Sequence, residues 1–495
     1  MIAMKLFASK LPQALWLLLL QLWLIPGLSG CSSAPPEPPE GFELNWQGQT
    51  VPGEVFLIPT APQSLAYRLE AIDQATEFID ITYFTWNHDV SGIYVYHALL
   101  QAAQRGVKVR VLLDDLLVFN DRWLKDLDQH PNMDIRIFNP FDVRHTGWFT
   151  RAFNFQFRKK ALNHRMHQKY FNVDGELLII GGRNIGDDYF GLSDSANFFD
   201  LDLLVRGESL RQFEANFELF WRHEESVPVD QVLSGEPSEQ QSLFLEDFQE
   251  MKDEHPDVVR AIAEVRAALP EPDYISALVT PAFDDMEKFE DSLPYFRRRI
   301  EQFLLTYPTQ HKELLISTPY MIPNGDEFTA TQAFLENGAD VILLTNSAAS
   351  NDSGFVAAYY DKYRKPLLEM GVDIYEYDSE AVHPPYLHQA TTYYHNKAFV
   401  IDDWLSYIGS SNFDPRSDHL NFEMGMMIES QEFAEALSEY LLLSQLDNFW
   451  HVTLDEEGNP QWEKGQVIEH TNPRTAPIRA LPAWFYRLFN IQHDI

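Results

Sequence analysis

The sequence predicts an α/β protein made of two homologous domains, related by a pseudo-two-fold axis with one active site between them. Three observations carry this. First, the stretch His167-Gln-Lys169-Tyr-Phe-Asn-Val-Asp174 returns as His395-Asn-Lys397-Ala-Phe-Val-Ile-Asp402, so the spacing H-x-K-x4-D occurs twice. Second, each copy runs into a Gly-rich turn ending in Asn, Gly181-Gly-Arg-Asn184 and Gly409-Ser-Ser-Asn412. The separations His167 to His395, Lys169 to Lys397, Asp174 to Asp402 and Asn184 to Asn412 are all 228 residues. Third, a strand-helix-strand pattern precedes each copy, and internal repetition of this kind marks a duplicated structural unit. A length of 495 residues also exceeds what one hydrophobic core usually organises.

At the amino end, Lys5 and Lys10 precede an apolar run from Leu11 to Ile25, and Leu28-Ser-Gly30 leads to Cys31. This reads as a secretory signal over residues 1–30 ending in a lipobox. Cys31 is the single cysteine, so no internal disulfide is available to it. The stretch resembles bacterial lipoproteins, and that resemblance implies lipidation of Cys31 as the first residue of the mature chain. An uncleaved apolar anchor and a buried free thiol are the plainer readings. Residues 31–53, opening Ser32-Ser-Ala-Pro-Pro-Glu-Pro-Pro-Glu, form a Pro-rich tether. The expected location is a bacterial cell envelope, lipid-anchored at a membrane and facing the periplasm.

The first domain is expected over residues 54–234. Phe78 to Phe84 reads as a buried strand, Val95 to Arg105 as an amphipathic helix, and Val107 to Leu113 as a second strand. Residues 235–272 are polar and acidic, with Gly235, Pro237 and Pro256, and read as a surface connector. The second domain, 273–452, repeats the order with Leu314 to Tyr320, a helix through Gln332 to Asn337, and Val341 to Leu344. Residues 453–495 are read as a tail outside the repeat. Its stretch Leu481 to Phe489 is apolar and aromatic, suited to packing on the body or to a lipid interface.

In an extended strand, residues two apart share a face, so His and Lys of each motif point the same way. Asp174-Gly175 follows as a hairpin turn, and Leu177 to Ile180 as the return strand. His, Lys and Asn thus collect at one end of a small β unit. An ammonium, amide donors and an imidazole able to attack or shuttle a proton together suit a phosphate. Divalent-metal readings of His164 with His167, or of His383, His388 and His395, are weak, because H-E-x-x-H and Cys-His spacings are absent. No metal and no cofactor is expected.

The paired motif resembles the phospholipase D superfamily, whose signature is H-x-K-x4-D followed by G-(G/S)-x-N, twice per active site. That resemblance implies a covalent phosphohistidine, with His167 as nucleophile and His395 as general acid and later base. Lys169, Lys397, Asn184, Asn412 and Ser410 would hold phosphate oxygens, and Asp174 and Asp402, at the turns, would orient the motif. Each His also needs a carboxylate to fix its tautomer. Aligning the strands after each Gly-Asn turn pairs Asp202 with Glu423, with Asp200 as the competitor for Asp202.

Within the superfamily, Asn163-His-Arg-Met-His167, Gly181 to Phe190, Ser411-Asn-Phe-Asp-Pro-Arg-Ser417 and Asn421-Phe-Glu423 resemble the bacterial C-type cardiolipin synthases. The implied reaction moves a phosphatidyl group from a donor phospholipid to phosphatidylglycerol, with phosphatidylethanolamine as the other lipid partner considered. Gly182 stands where many superfamily members carry Ser, while the second copy keeps Ser410. Hydrolysis of phospholipid is the alternative, because water can resolve the same intermediate. A phosphodiesterase or nuclease and an inactive envelope scaffold rank lower. With 74 acidic against 37 basic residues and a net charge of −37, the chain repels nucleic acid, and no nucleic-acid partner is expected. One local exception is the basic and aromatic segment from Arg144 to Arg165, read as a substrate contact beside His167.

Overall fold

The structure is a computed structural model, and it describes residues 48–116, 118, 122–141, 162–304, 312–323, 325–442 and 446–473. The signal segment, Cys31, most of the tether, residues 144–161 of the basic stretch and the aromatic tail segment lie outside the described residues.

The strands of the first half are β1 (Val51–Leu57), β2 (Phe78–Tyr83), β3 (Lys108–Asp114), β4 (Met133–Phe138), β5 (Arg165–Met166), β6 (Tyr170–Val173), β7 (Leu177–Gly181), β8 (Ala196–Phe199), β9 (Asp202–Gly207) and β10 (Ser226–Pro228). Those of the second are β11 (Ile275–Phe283), β12 (Glu313–Ser317), β13 (Asp340–Asn346), β14 (Asp373–Tyr377), β15 (Thr391–Tyr394), β16 (Ala398–Ile401), β17 (Leu405–Gly409), β18 (Asn421–Phe422), β19 (Met424–Glu429), β20 (Phe449–Leu454), β21 (Pro460–Lys464) and β22 (Val467–Glu469).

In each half three strands run parallel, joined through helices: β2, β3 and β4 in one, β12, β13 and β14 in the other. The motif hairpin then adds antiparallel to the first of them, β6 on β2 and β16 on β12. Strands β7 and β17 follow, then β9 and β19. The halves join where β1, lying against β9, pairs with β11, which lies against β19.

The helices between parallel strands start and stop on local chemistry. Helix Val90–Arg105 begins where Asp89 accepts a hydrogen bond from the amide of Gly92 at 3.0 Å, and ends at Gly106 with φ 106°. Its Ile93, Leu99 and Leu100 pack with Ile72, Ile79 and Ile81 in the outer core of the first half. A second core lies between the halves and draws on both, with Tyr170, Leu203 and Val205 against Leu315, Val400 and Met426. Burial at this seam, at about 25 cal/mol per Å² of apolar surface, is the main force holding one half against the other.

Three boundaries differ from the sequence reading. Val51 to Gly53, assigned to the tether, already belong to β1. The expected connector is helical over Ser242–Glu254 and Pro256–Ala267, and Phe244, Phe248, Val258 and Ile262 join the core of the first half. Apolar residues at helical spacing within an acidic stretch explain the difference. The start of the expected tail is sheet: β20 pairs with β14, and β21 and β22 extend it. No helix among the described residues is long and apolar enough to cross a membrane.

Candidate active site

His167 and Lys169 sit between β5 and β6, and His395 and Lys397 between β15 and β16. All four are nearly closed off, the histidines 7% exposed and the lysines 1%. Strand alternation puts His and Lys of each copy on one side, and each Lys folds back onto its own motif. Lys169 Nζ donates to the carbonyl of His167 at 2.7 Å, and Lys397 Nζ to that of His395 at 2.6 Å.

Each histidine is held by the opposite half. His167 Nδ1 lies 3.0 and 2.9 Å from the two carboxylate oxygens of Glu423, and His395 Nδ1 lies 2.5 Å from Asp200 Oδ2. The backbone follows the same exchange, with His167 N donating to Phe422 O at 3.0 Å and His395 N to Phe199 O at 2.8 Å. Two small parallel sheets carry it, β5 with β18 and β8 with β15. Because the carboxylates accept at Nδ1, Nε2 is left on each ring for chemistry.

This corrects the sequence reading at Asp202. Its Oδ2 lies 2.5 Å from the Ser64 hydroxyl and 3.0 Å from Arg68, in a buried cluster behind the site. The carboxylate that meets His395 is that of Asp200. Strand β9 begins at Asp202, while Asp200 stands two residues earlier, directly after Phe199 at the end of β8. A signal was present, since Asp200 and Glu423 each follow a Phe, in Phe199-Asp200 and Phe422-Glu423.

Ser410 and Gly182 explain each other through these carboxylates. The Ser410 hydroxyl donates to Glu423 and also receives the amide of Met424 at 3.0 Å, so it supports the carboxylate and is not spent on phosphate. At Gly182 a Cβ would stand 2.3 Å from Asp200 Oδ1, so the shorter carboxylate of the first half fits only against glycine. One half uses Ser with Glu, and the other Gly with Asp.

The two asparagines also differ. Thr85 N donates to Asn184 Oδ1 at 3.1 Å, whereas Asn412 Oδ1 is buried without a hydrogen-bond partner among the described residues. Asp174 and Asp402 serve the far end of the hairpin. Asp174 accepts from the amides of Thr76, Glu77 and Phe78, each at 2.8 Å, and Asp402 from those of Lys312 at 2.7 Å and Glu313 at 3.0 Å. Six residues lie between each Asp and its His, roughly 20 Å of extended chain at the usual rise. Both carboxylates fasten the chain entering β2 and β12.

Burial governs the charges. It pushes the His167 imidazole down to about 4 against the pull of Glu423, and His395 well below its ordinary value with help from Lys397. Burial likewise lowers Lys169 to about 7 and Lys397 to about 8, although Glu423 and Asp200 oppose it. Desolvation works to raise Glu423, but His167 and Lys169 outweigh it and hold this carboxylate at about 2. Lys397 depresses Lys169, and Lys169 and His167 both depress His395, so both motifs share one field. Two crowded lysines whose protonated form burial disfavours, beside neutral imidazoles, favour an anion that would restore their charge. Phe84 packs edge-on to His167, and Tyr189 and Phe198 to His395, which walls the rings from water.

The family model described as "Cardiolipin synthase, PLD-like domain" matches residues 69–221 and 309–442, one segment in each half. The chain belongs to this PLD-like family. Among its relatives, Cardiolipin synthase C of Escherichia coli (strain K12) is 32% identical over 449 residues, spanning 86% of this chain and 93% of that protein. Cardiolipin synthase of Halalkalibacterium halodurans is 26% identical over 423 residues, spanning 84% of this chain and 70% of that protein. The crystal structure of phosphatidylserine synthase from Haemophilus influenzae superposes with a TM-score of 0.58 at 18% identity, covering 89% of this chain and 95% of that one, a likeness of fold.

Membership in the PLD-like family agrees with a domain in each half and with the paired H-x-K sites that the fold brings together. His164 and His383, weighed as metal ligands, face Ser292 Oγ at 3.1 Å and the Tyr377 hydroxyl.

Proposed function

We propose that this member of the PLD-like family is a phosphatidyltransferase that makes cardiolipin by passing a phosphatidyl group from a donor phospholipid to phosphatidylglycerol. The single observation that carries the reading is the reciprocal support of His167 by Glu423 and of His395 by Asp200, which gives one site two imidazoles with Nε2 free. The names of its relatives, Cardiolipin synthase C and Cardiolipin synthase, supply the substrate class.

His167 Nε2 attacks phosphorus, and the bond from phosphorus to the oxygen of the departing headgroup breaks. His395, entering this step as the imidazolium that Asp200 and the bound anionic phosphate favour, gives that oxygen its Nε2 proton, leaving a phosphatidyl group on His167. The hydroxyl of phosphatidylglycerol then loses its proton to His395 and attacks phosphorus, and the bond to His167 breaks. Lys169 and Lys397 meet the charge that builds on the non-bridging oxygens. Asp200 and Glu423 hold the tautomers and steady the imidazolium that forms on either side. Phosphatidylglycerol and phosphatidylethanolamine are the donors to test. Lipidation at Cys31 would hold the enzyme at an envelope membrane, facing the periplasm, where its acidic surface alone would not keep it.

The experiment is to incubate purified, detergent-solubilised protein with labelled phosphatidylglycerol, with and without phosphatidylethanolamine, beside a His167→Ala control, and to resolve the lipids by mass spectrometry. Cardiolipin that disappears in the control supports transfer and identifies the donor. Phosphatidic acid alone makes water the acceptor, and no lipid product overturns the proposal.

A further inference from the structure

The two halves differ on the outer face of the sheet, beneath the motif hairpin. In the first half Phe171, Val173 and Ile179 are 0, 5 and 0% exposed and packed against Ile72 and Leu99. The residues 228 positions later, Phe399, Ile401 and Tyr407, line a cavity of about 160 Å³ instead. Its other walls are the helices Tyr295–Leu304, through Phe296 and Ile300, and Gly325–Glu336, through Ala330 and Phe334. Cavities of roughly this size lined by aliphatic and aromatic side chains stay dry and take apolar ligands.

One end of the cavity is not apolar. Ser411 and Asn412, from the Gly-Ser-Ser-Asn turn of the second motif, line it. There the Asn412 amide oxygen has no hydrogen-bond partner among the described residues, whereas the matching oxygen of Asn184 is taken by Thr85 N. The space therefore runs from the catalytic turn into a wall of hydrocarbon. An amide at the junction meets a polar group, and the part beyond it is mostly aliphatic and aromatic wall, with Arg297, Glu301, Glu327 and Asp418 also along the lining. Among molecules that bring a phosphate to the histidines, a phospholipid has this order of parts: phosphate, ester-bearing glycerol, alkyl chain.

Resting on the transferase reading above, we infer that this cavity receives an acyl chain of the phospholipid whose phosphate is bound between His167 and His395, with Asn412 facing the glycerol region. The first half offers no matching space at Phe171 and Ile179, so the two lipids of the reaction are held unequally. The second half grips a chain, and the partner lipid is recognised chiefly through its headgroup.

The test has two arms. In the first, Thr331→Trp places a large side chain at a buried wall of the cavity. The readout is kcat/KM for phosphatidylglycerol with long chains divided by that for dihexanoyl phosphatidylglycerol. We expect this preference to fall at least tenfold relative to wild type, and an unchanged ratio overturns the inference. In the second arm, the His167→Ala protein, which cannot turn substrate over, is irradiated with phosphatidylglycerol carrying a diazirine on one acyl chain, and the adducts are mapped. Adducts on residues 295–304 or 325–336 support the inference, and adducts confined to other regions overturn it. A wild-type enzyme that produces no cardiolipin removes the transferase reading, and the cross-linking arm then decides alone whether a lipid chain occupies the cavity.

Discussion

Asp200 and His395 stand 195 residues apart in the chain and are joined side chain to side chain at 2.5 Å. With Glu423 and His167, 256 residues apart, the pair closes a reciprocal exchange in which neither half owns a complete site.

Asp200→Asn should therefore lower turnover by roughly 10² to 10⁴, because the amide can present a donor to Nδ1 and select the wrong tautomer. Its neighbour should behave differently. Asp202→Asn leaves Arg68 buried beside a neutral group and should cost about 3 to 5 kcal/mol of stability. Thermal melts together with turnover per folded molecule separate the two. Equal kinetic damage from both substitutions would refute the assignment of Asp200.

Gly182→Ala should cost about a hundredfold in turnover, since its Cβ would fall 2.3 Å from the Asp200 carboxylate and push that group off His395. Ser410→Ala removes a hydroxyl that Glu423 accepts from and adds no bulk, and the expected loss is about tenfold. Steady-state rates on one substrate compare them directly, and an Ala at 182 that is milder than an Ala at 410 would contradict the packing argument.

The depressed His167 imidazole makes the fold sensitive to acid. A base whose folded value lies near 4, below its ordinary 6.5, binds fewer protons when folded, so stability falls as pH drops from 6.5 towards 4. The shift corresponds to about 3 kcal/mol. His167→Gln has no such group and should lose less melting temperature across that interval. Parallel melting curves for the two proteins would show that His167 does not titrate this way.

Asp174→Ala should act on stability before chemistry. It strips the amides of Thr76, Glu77 and Phe78 of their acceptor at a half-exposed site, worth about 1 to 3 kcal/mol. Urea unfolding gives that figure. Turnover per folded molecule should fall by less than it does for Asp200→Asn, and a larger fall would place Asp174 in the catalytic group.

Much of this site is written in the order of residues. The H-x-K alternation fixes which side chains share a face, and the uniform offset of 228 residues fixes the duplication. The exchange of carboxylates is not written there, because a residue two positions away in a strand looks equally eligible until β8 and β15 are seen to pair across the halves. Asp202 faces Ser64 and Arg68 for the same reason: its side of the strand is set by tertiary neighbours. The acidic stretch beyond Gly235 was legible as polar, but its apolar positions at helical spacing carried the stronger message.

The paired sheets β5 with β18 and β8 with β15 also bear on how such a chain can be inherited. The arrangement has the form of a symmetric dimer joined in one chain, each half lending its acid to the other's imidazole. The halves differ at Gly182 with Asp200 and Ser410 with Glu423, but only in matched sets. A lesion in one half is felt by the histidine of the other, so neither half can be lost, exchanged or retired alone.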